Sequence, residues 1–233
     1  MKNFNHCIVI LFVLVIHSFI LGQELKWVNK IGGPTAEFGN GVSITPSQNI
    51  YDITSFMGTV SVSTNIGFSS RGAEDILIRK NSSLGILQWV KQIGSTKQDI
   101  AFDILAGADD HVYVVGSFRD SLYLDADLIL EGNPDKISTF ILKLSGIGAV
   151  AWARQFDSDT AVEARTIATA EAGELVISGN FEGIAHFATD FTLTSEGGND
   201  IFILKMKDAT GEITFLRHIG SFEHEYANQI SVD

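Results

Sequence analysis

The sequence is poor in residues that cross-link a chain or break it. Of 233 residues, one is cysteine and three are proline. The single Cys7 lies in an apolar amino-terminal run, so the rest of the chain holds no disulfide and no thiolate metal site. Basic side chains are also few, with 16 Lys and Arg against 28 Asp and Glu, giving a net charge of −12. A nucleic-acid binder neutralises phosphates with Lys and Arg, so this balance argues against that class. Beyond residue 22 there is no sustained helical periodicity and no apolar run that predicts a membrane span. The chain also lacks a Gly-x-Ser-x-Gly elbow, a phosphate-binding loop and a nucleophilic cysteine, and nothing in it implies a cofactor. What remains is 45 % hydrophobic and 19 % charged. That is neither disordered nor collagen-like, and it is enough to bury a core.

Residues 1–22 stand apart. Lys2 precedes the apolar run from Cys7 to Ile16, His17 and Ser18 interrupt it, and Gly22 precedes Gln23. A short positive region, about ten apolar residues and a small residue make the pattern of a secretory signal. A membrane anchor would need about twenty apolar residues. The expectation is cleavage near Gly22 and a mature chain that is secreted or held at the outer cell surface.

The strongest signal is a repeat. Trp27, Trp89 and Trp152 are spaced by 62 and 63 residues, and a further 63 reaches Phe215. At fixed offsets follow Gly32, Gly94, Asp157 and Gly220, then the acids Glu37, Asp99 and Glu225, with Val162 and the adjacent Glu163 in the third unit. Further on come Phe56, Phe118 and Phe181, and the runs ending in Lys80, Lys143 and Lys205. Gly85, Gly148 and Gly211 each lie four residues before the next aromatic.

Each unit reads as β-strands. The segment from His111 to Phe118 is rich in β-branched and aromatic residues and is preceded by turn formers. The spacing predicts four main strands: one near Val42, one ending at Phe56, one over Asp75 to Lys80, and one through Trp89. A variable stretch such as Thr59 to Arg71 suits a short extra hairpin. The glycine before each returning strand suits a turn that needs a positive φ. Four strands in about sixty residues, repeated in tandem, predict the four-stranded antiparallel blades of an all-β propeller. The expected organisation is a signal at 1–22, repeats at 23–86, 87–150 and 151–213, and the start of a fourth at 214–233. From Trp27 to the end there are 207 residues, about 3.3 periods. Propellers close with about four to eight blades. The expectation is therefore an N-terminal fragment of a longer protein, unstable or self-associating when alone.

The unit Trp89-Val-Lys-Gln-Ile-Gly94, with Asp99, Val112-Tyr-Val-Val-Gly116 and a run such as Asp200-Ile-Phe-Ile-Leu-Lys205, resembles the bacterial β-propeller repeat of secreted and surface proteins. The resemblance covers about residues 26 to 233. It implies a propeller and no common catalytic residues. Asp157 for Gly, Val162 for the acid and Ser138-Thr139 for Asp-Ile depart from the pattern.

Candidate chemistry is sparse. If Glu37, Asp99 and Glu225 faced a central channel they could line a cation or sugar site; the alternative is that each accepts hydrogen bonds from turn amides. The same choice applies to Asp75 and Asp200. Asp125 with Asp127, and Asp157 with Asp159, offer alternate carboxylates without the remainder of a calcium loop. His111, His186, His218 and His224 show no metal-ligand spacing. The three tryptophans suit packing between blades, or stacking on sugars. Asn81-Ser82-Ser83 matches a glycosylation acceptor. The leading expectation is a non-enzymatic platform for a protein or carbohydrate ligand at a propeller face. The alternatives are an extracellular enzyme acting on a polymer, and a fragment without a function of its own.

Overall fold

Runs of alternating β-branched and aromatic residues, each closed by a Gly- or Asp-bearing turn, pair with their sequence neighbours. In the computed structural model, which describes residues 25–126 and 128–232, they build three four-stranded antiparallel blades and two accessory hairpins. The first has the order β1 (Glu37–Ile44), β2 (Ile50–Ser63), β3 (Ile66–Asn81) and β4 (Leu87–Ile93). The second contains β5 (Ile100–Ala106), β6 (Val112–Phe118), β9 (Ser138–Leu144) and β10 (Val150–Ser158), with a hairpin of β7 (Ser121–Asp125) and β8 (Leu128–Glu131) between β6 and β9. The third contains β11 (Ala161–Ala170), β12 (Glu174–Glu182), β15 (Asp200–Lys207) and β16 (Ile213–Ile219); its equivalent hairpin, β13 (Ile184–Ala188) and β14 (Phe191–Thr194), follows β12 in the chain but pairs with β10 and so extends the second sheet. These are tandem propeller blades. Each tryptophan strand closes the sheet before it, so the sheets are offset by one strand from a sequence period cut ahead of the tryptophan.

First strands of successive blades lie side by side: β5 against β1, and β11 against β5. Ile104 and Ile167 are buried there, against the preceding blade, at 4 % and 5 % exposure. Gly41 makes room for the first of them, since a Cβ at Gly41 would come within 2.9 Å of Ile104. Val42 holds the same phase in blade 1 but is 67 % exposed, because none of the described residues forms a blade in front of it. Burying a side chain of this size is worth about 1.5–3 kcal/mol. At the other end Ile219, Phe222 and Tyr226 are exposed as well.

The hairpin expected between the second and third strands is present in each blade, and it joins the blades. In blade 1 it continues β2 and β3; in the others it is β7–β8 and β13–β14. Its strand reaches back to the segment that enters the blade: Gly32 bridges Ser61, Gly94 bridges Tyr123, and β10 pairs with β13 through Asp157 and His186.

Trp27, Trp89 and Trp152 occupy equivalent places but are half-buried, where the repeat pattern predicts burial. Each sits on an outermost strand or its equivalent, with one ring face against the turn glycine of the following blade. Gly85 at φ +74 covers Trp27, and Gly148 at φ +81 covers Trp89. A side chain at either would meet both a left-handed backbone and the indole. The indole N–H of each tryptophan donates to a carbonyl of the same turn: Ser83 at 3.1 Å, Gly146 at 3.0 Å and Asp208 at 2.9 Å.

Candidate binding site on the inner rim

Most polar residues that recur with the repeat are occupied in joints between or within blades. At the joint of blades 1 and 2, Lys80 on β3 donates to Asp110 at 2.5 Å and to the Gly146 carbonyl at 2.9 Å. The Tyr51 hydroxyl donates to the Asp110 carbonyl at 2.8 Å, and Trp89 packs edge-on to the Tyr51 ring. At the next joint Lys143 donates to Asp208 at 2.5 Å, Tyr113 donates to the same carboxylate, and Trp152 lies beside Tyr113. Burial works against both carboxylates, but the lysine, with the hydrogen bonds around it, holds Asp110 and Asp208 below the usual range. Burial first, and then the neighbouring carboxylate, raises both tyrosines.

The two joints carry their carboxylate on different loops. Asp110 sits in the turn between β5 and β6, opposite Gly146, where a Cβ would come within 2.7 Å of that carboxylate. In blade 3 the glycine and the acid exchange, as Gly173 and Asp208. A second exchange explains two departures noted in the sequence. Asp75 faces Gly94 and Asp200 faces Gly220, with a Cβ at Gly220 falling 2.0 Å from Asp200. In blade 2 the acid crosses to the neighbouring strand as Asp157, and Ser138 donates to it at 2.6 Å. The partner on the outer strand is retained: Gln92 donates to Asp75 at 2.6 Å, Gln155 to Asp157 at 2.9 Å, and His218 lies 3.6 Å from Asp200.

Of the repeated acids Glu37 opens β1 and Asp99 immediately precedes β5, whereas Glu225 follows β16, the last strand among the described residues. Asp99 is fully buried and accepts from the Ser95 amide at 2.6 Å, leaving Oδ1 without a partner. Burial is the main reason its pKa rises to about 8. Glu225 accepts from the amide of Ser221 at 3.0 Å and from its hydroxyl at 2.6 Å. Glu37 lies beside Gly33, and its Oε1 is buried without a partner. Val162 is wholly buried in apolar surroundings. The three acids therefore sit in separate joints and do not converge.

One open groove comes from residues the sequence did not single out. A bulge recurs in each first strand, between Gly39 and Gly41, Ala101 and Asp103, and Ala164 and Thr166. A bulge re-aims the extra side chain, here Asn40, Phe102 and Arg165. Asn40 bridges blades 1 and 2, donating to the Ala101 carbonyl at 2.5 Å and to Ser55 at 2.9 Å. The Arg165 guanidinium lies 4.0 Å over the Phe102 ring and is paired with Glu163 at 2.6 Å. Phe38, Asn40, Ser55, Glu74, Ile100 and Phe102 line an open groove of about 380 Å³. Phe38 is 54 % exposed. The signal in the sequence was faint: Phe102 breaks the strand's alternation, and only the paired register shows why.

Other candidates resolve locally. Asp125 pairs with Lys91 at 2.9 Å, and Asp127 lies outside the described residues. Asp159 accepts from the Ile184 amide at 2.7 Å, apart from the bonds at Asp157. Asn81 is 3 % exposed and donates to Asp52, so it is not placed to accept a glycan. Among the described residues no group of three or more His, Cys, Asp or Glu is arranged around a metal position, and no helix is long and apolar enough to cross a membrane. The signal segment and Cys7 lie outside the described residues.

No protein-family profile matches the chain. An uncharacterized WD repeat-containing protein of Acanthamoeba polyphaga mimivirus is 26 % identical over 215 residues, covering 80 % of this chain. The chain spans 15 % of that relative's length. The likeness and the sheets together make this a β-propeller-like repeat protein, an architecture suited to an interaction scaffold.

Proposed function

We propose that the chain is an exported, non-enzymatic scaffold that binds a protein partner through the rim groove of blades 1 and 2, and that its repeats are of the bacterial β-propeller type. One observation carries the reading. Most repeat-phased polar groups are engaged in joints, whereas Phe38, Asn40, Glu74 and Phe102 of the groove differ from their counterparts in the other blades. Phe38 and Phe102 supply two apolar anchors, with Glu74 and Asn40 at the edge. Anchors in a desolvated pocket with a few polar groups are how protein segments are held. Export rests on the amino-terminal pattern from Lys2 to Gly22.

The test is binding by the full chain to matched arrays of extracellular proteins and of glycans. A protein ligand held at least tenfold less tightly by Phe38→Ser and Phe102→Ser, with unchanged melting, supports the reading. Glycan binding lost in the same variants would replace it with a lectin, and binding indifferent to both substitutions would remove the groove from the function.

A further inference from the structure

The exchange of Asp110 for Asp208 leaves a space. At the joint of blades 1 and 2, Asn49 donates to Asp110 at 3.1 Å and the carboxylate fills the turn. At the next joint the position of Asp110 is Gly173, at φ +74, and a Cβ there would meet nothing within 4 Å. Asn49 is replaced by His111, whose Nδ1 is buried and has no hydrogen-bond partner. Around it lies a cleft of about 160 Å³, lined among others by Ala108, Asp109, Ala170, Glu174, Leu175 and Asp208.

We propose that this cleft binds a primary ammonium group on a short alkyl chain, as a free amine or as a lysine side chain. The proposal is independent of the rim groove. Its charge is set by the carboxylates. Lys143 and Tyr113 already occupy Asp208, whereas Asp109 is exposed, and Glu174 accepts from Thr214 at 2.7 Å while Lys207, opposite it on β15, pairs with Glu212 instead. Among the described residues, two carboxylates outside any ion pair thus lie beside an imidazole nitrogen that accepts a hydrogen bond when the ring proton is on Nε2. An ammonium has three donors on a compact centre, which suits a single nitrogen acceptor and a carboxylate set apart. The size allows it: at about 160 Å³ the cleft is roughly ten times the ~10–15 Å³ that one water needs on the same measure, which admits a short alkylammonium such as butylammonium. Ala108, Ala170 and Leu175 give the methylenes an apolar wall.

The experiment is a chemical-shift titration of the full chain with n-butylammonium, with Nα-acetyl-lysine amide, and with their acetylated, uncharged counterparts. Expected is saturable binding of the charged amines, with shifts centred on His111, weakened at least tenfold in Asp109→Asn and in His111→Phe and absent for the acetylated compounds. Tighter binding of the lysine derivative would assign the site to a protein side chain, and equal binding to a free amine. Asp109 is exposed, so its variant folds irrespective of His111, and the melting temperature of each variant is checked alongside. No saturation up to 100 mM, or the same affinity in both variants, would mean that the cleft holds only water and would overturn the proposal.

Discussion

Moving the blade 2 carboxylate back to the strand it occupies in blades 1 and 3 requires two substitutions, Ser138→Asp and Asp157→Gly. Ser138 is 2 % exposed and donates to Asp157 at 2.6 Å. Ser138→Asp alone sets two carboxylates at hydrogen-bond spacing. Their repulsion is about 4 kcal/mol at an effective dielectric constant of 20, or one of them binds a proton, at a similar cost near neutral pH. Asp157→Gly alone strands the buried Ser138 hydroxyl, at about 1 kcal/mol, and adds about 0.5–1 kcal/mol of backbone entropy, while the exposed Gln155 amide keeps its bond to the Glu131 carbonyl at 2.7 Å. Together they restore the arrangement of Asp75 facing Gly94, with Gln155 in the role of Gln92. The double variant should lie within about 1 kcal/mol of the parent, with a coupling energy of several kcal/mol. Urea denaturation of the four proteins measures it. The Ser138→Asp defect should also shrink as pH falls and one carboxyl is protonated. Single effects that add to within about 0.5 kcal/mol would refute the idea that the two positions share one carboxylate.

The joints and the two uncovered ends each set further expected outcomes. Asp99 is raised to about 8 when folded against about 3.9 unfolded, so folding takes up a proton. Its contribution should be complete below about pH 4 and lost as pH rises towards 8, and Asp99→Asn should flatten that part of a plot of Tm against pH. Asp208→Ala leaves the Lys143 ammonium without its carboxylate; it should cost about 3 kcal/mol in urea denaturation, whereas Trp89→Phe, losing one bond to Gly146, should cost about 1 kcal/mol. With Val42, Ile44, Ile219 and Phe222 uncovered at the two ends, sedimentation of the chain should show self-association that rises with concentration and falls when Val42 and Ile44 are changed to Thr.

Strand order was legible because each blade repeats its alternation and turn chemistry, and because no segment competes with a helical period. Val42, Phe56, Asp75 to Lys80 and Trp89 fall on the four strands of blade 1 in that order. The joints were not legible, since they depend on register. Asp157 and Ser138 look like separate departures until Phe156 is seen opposite Thr139, which puts the two side by side. The tryptophans carried the period but not their exposure, because an outer strand covers one face of a ring and leaves the other free. The rim groove was hidden for a similar reason. A bulge adds one residue to a strand, and the composition of Asn40 or Phe102 does not reveal it.

The hairpins that staple one blade to the connector ahead of it all reach in the same direction, towards the amino terminus. On a ribosome that is the part already made. When β7 emerges, Gly94 is waiting to pair with Tyr123; when β13 emerges, β10 is complete. Each new blade thus brings its own attachment to a finished neighbour, and no blade needs a later one to secure the joint behind it. Growth of the array should then be vectorial, with a stalled nascent chain already holding its earlier blades docked.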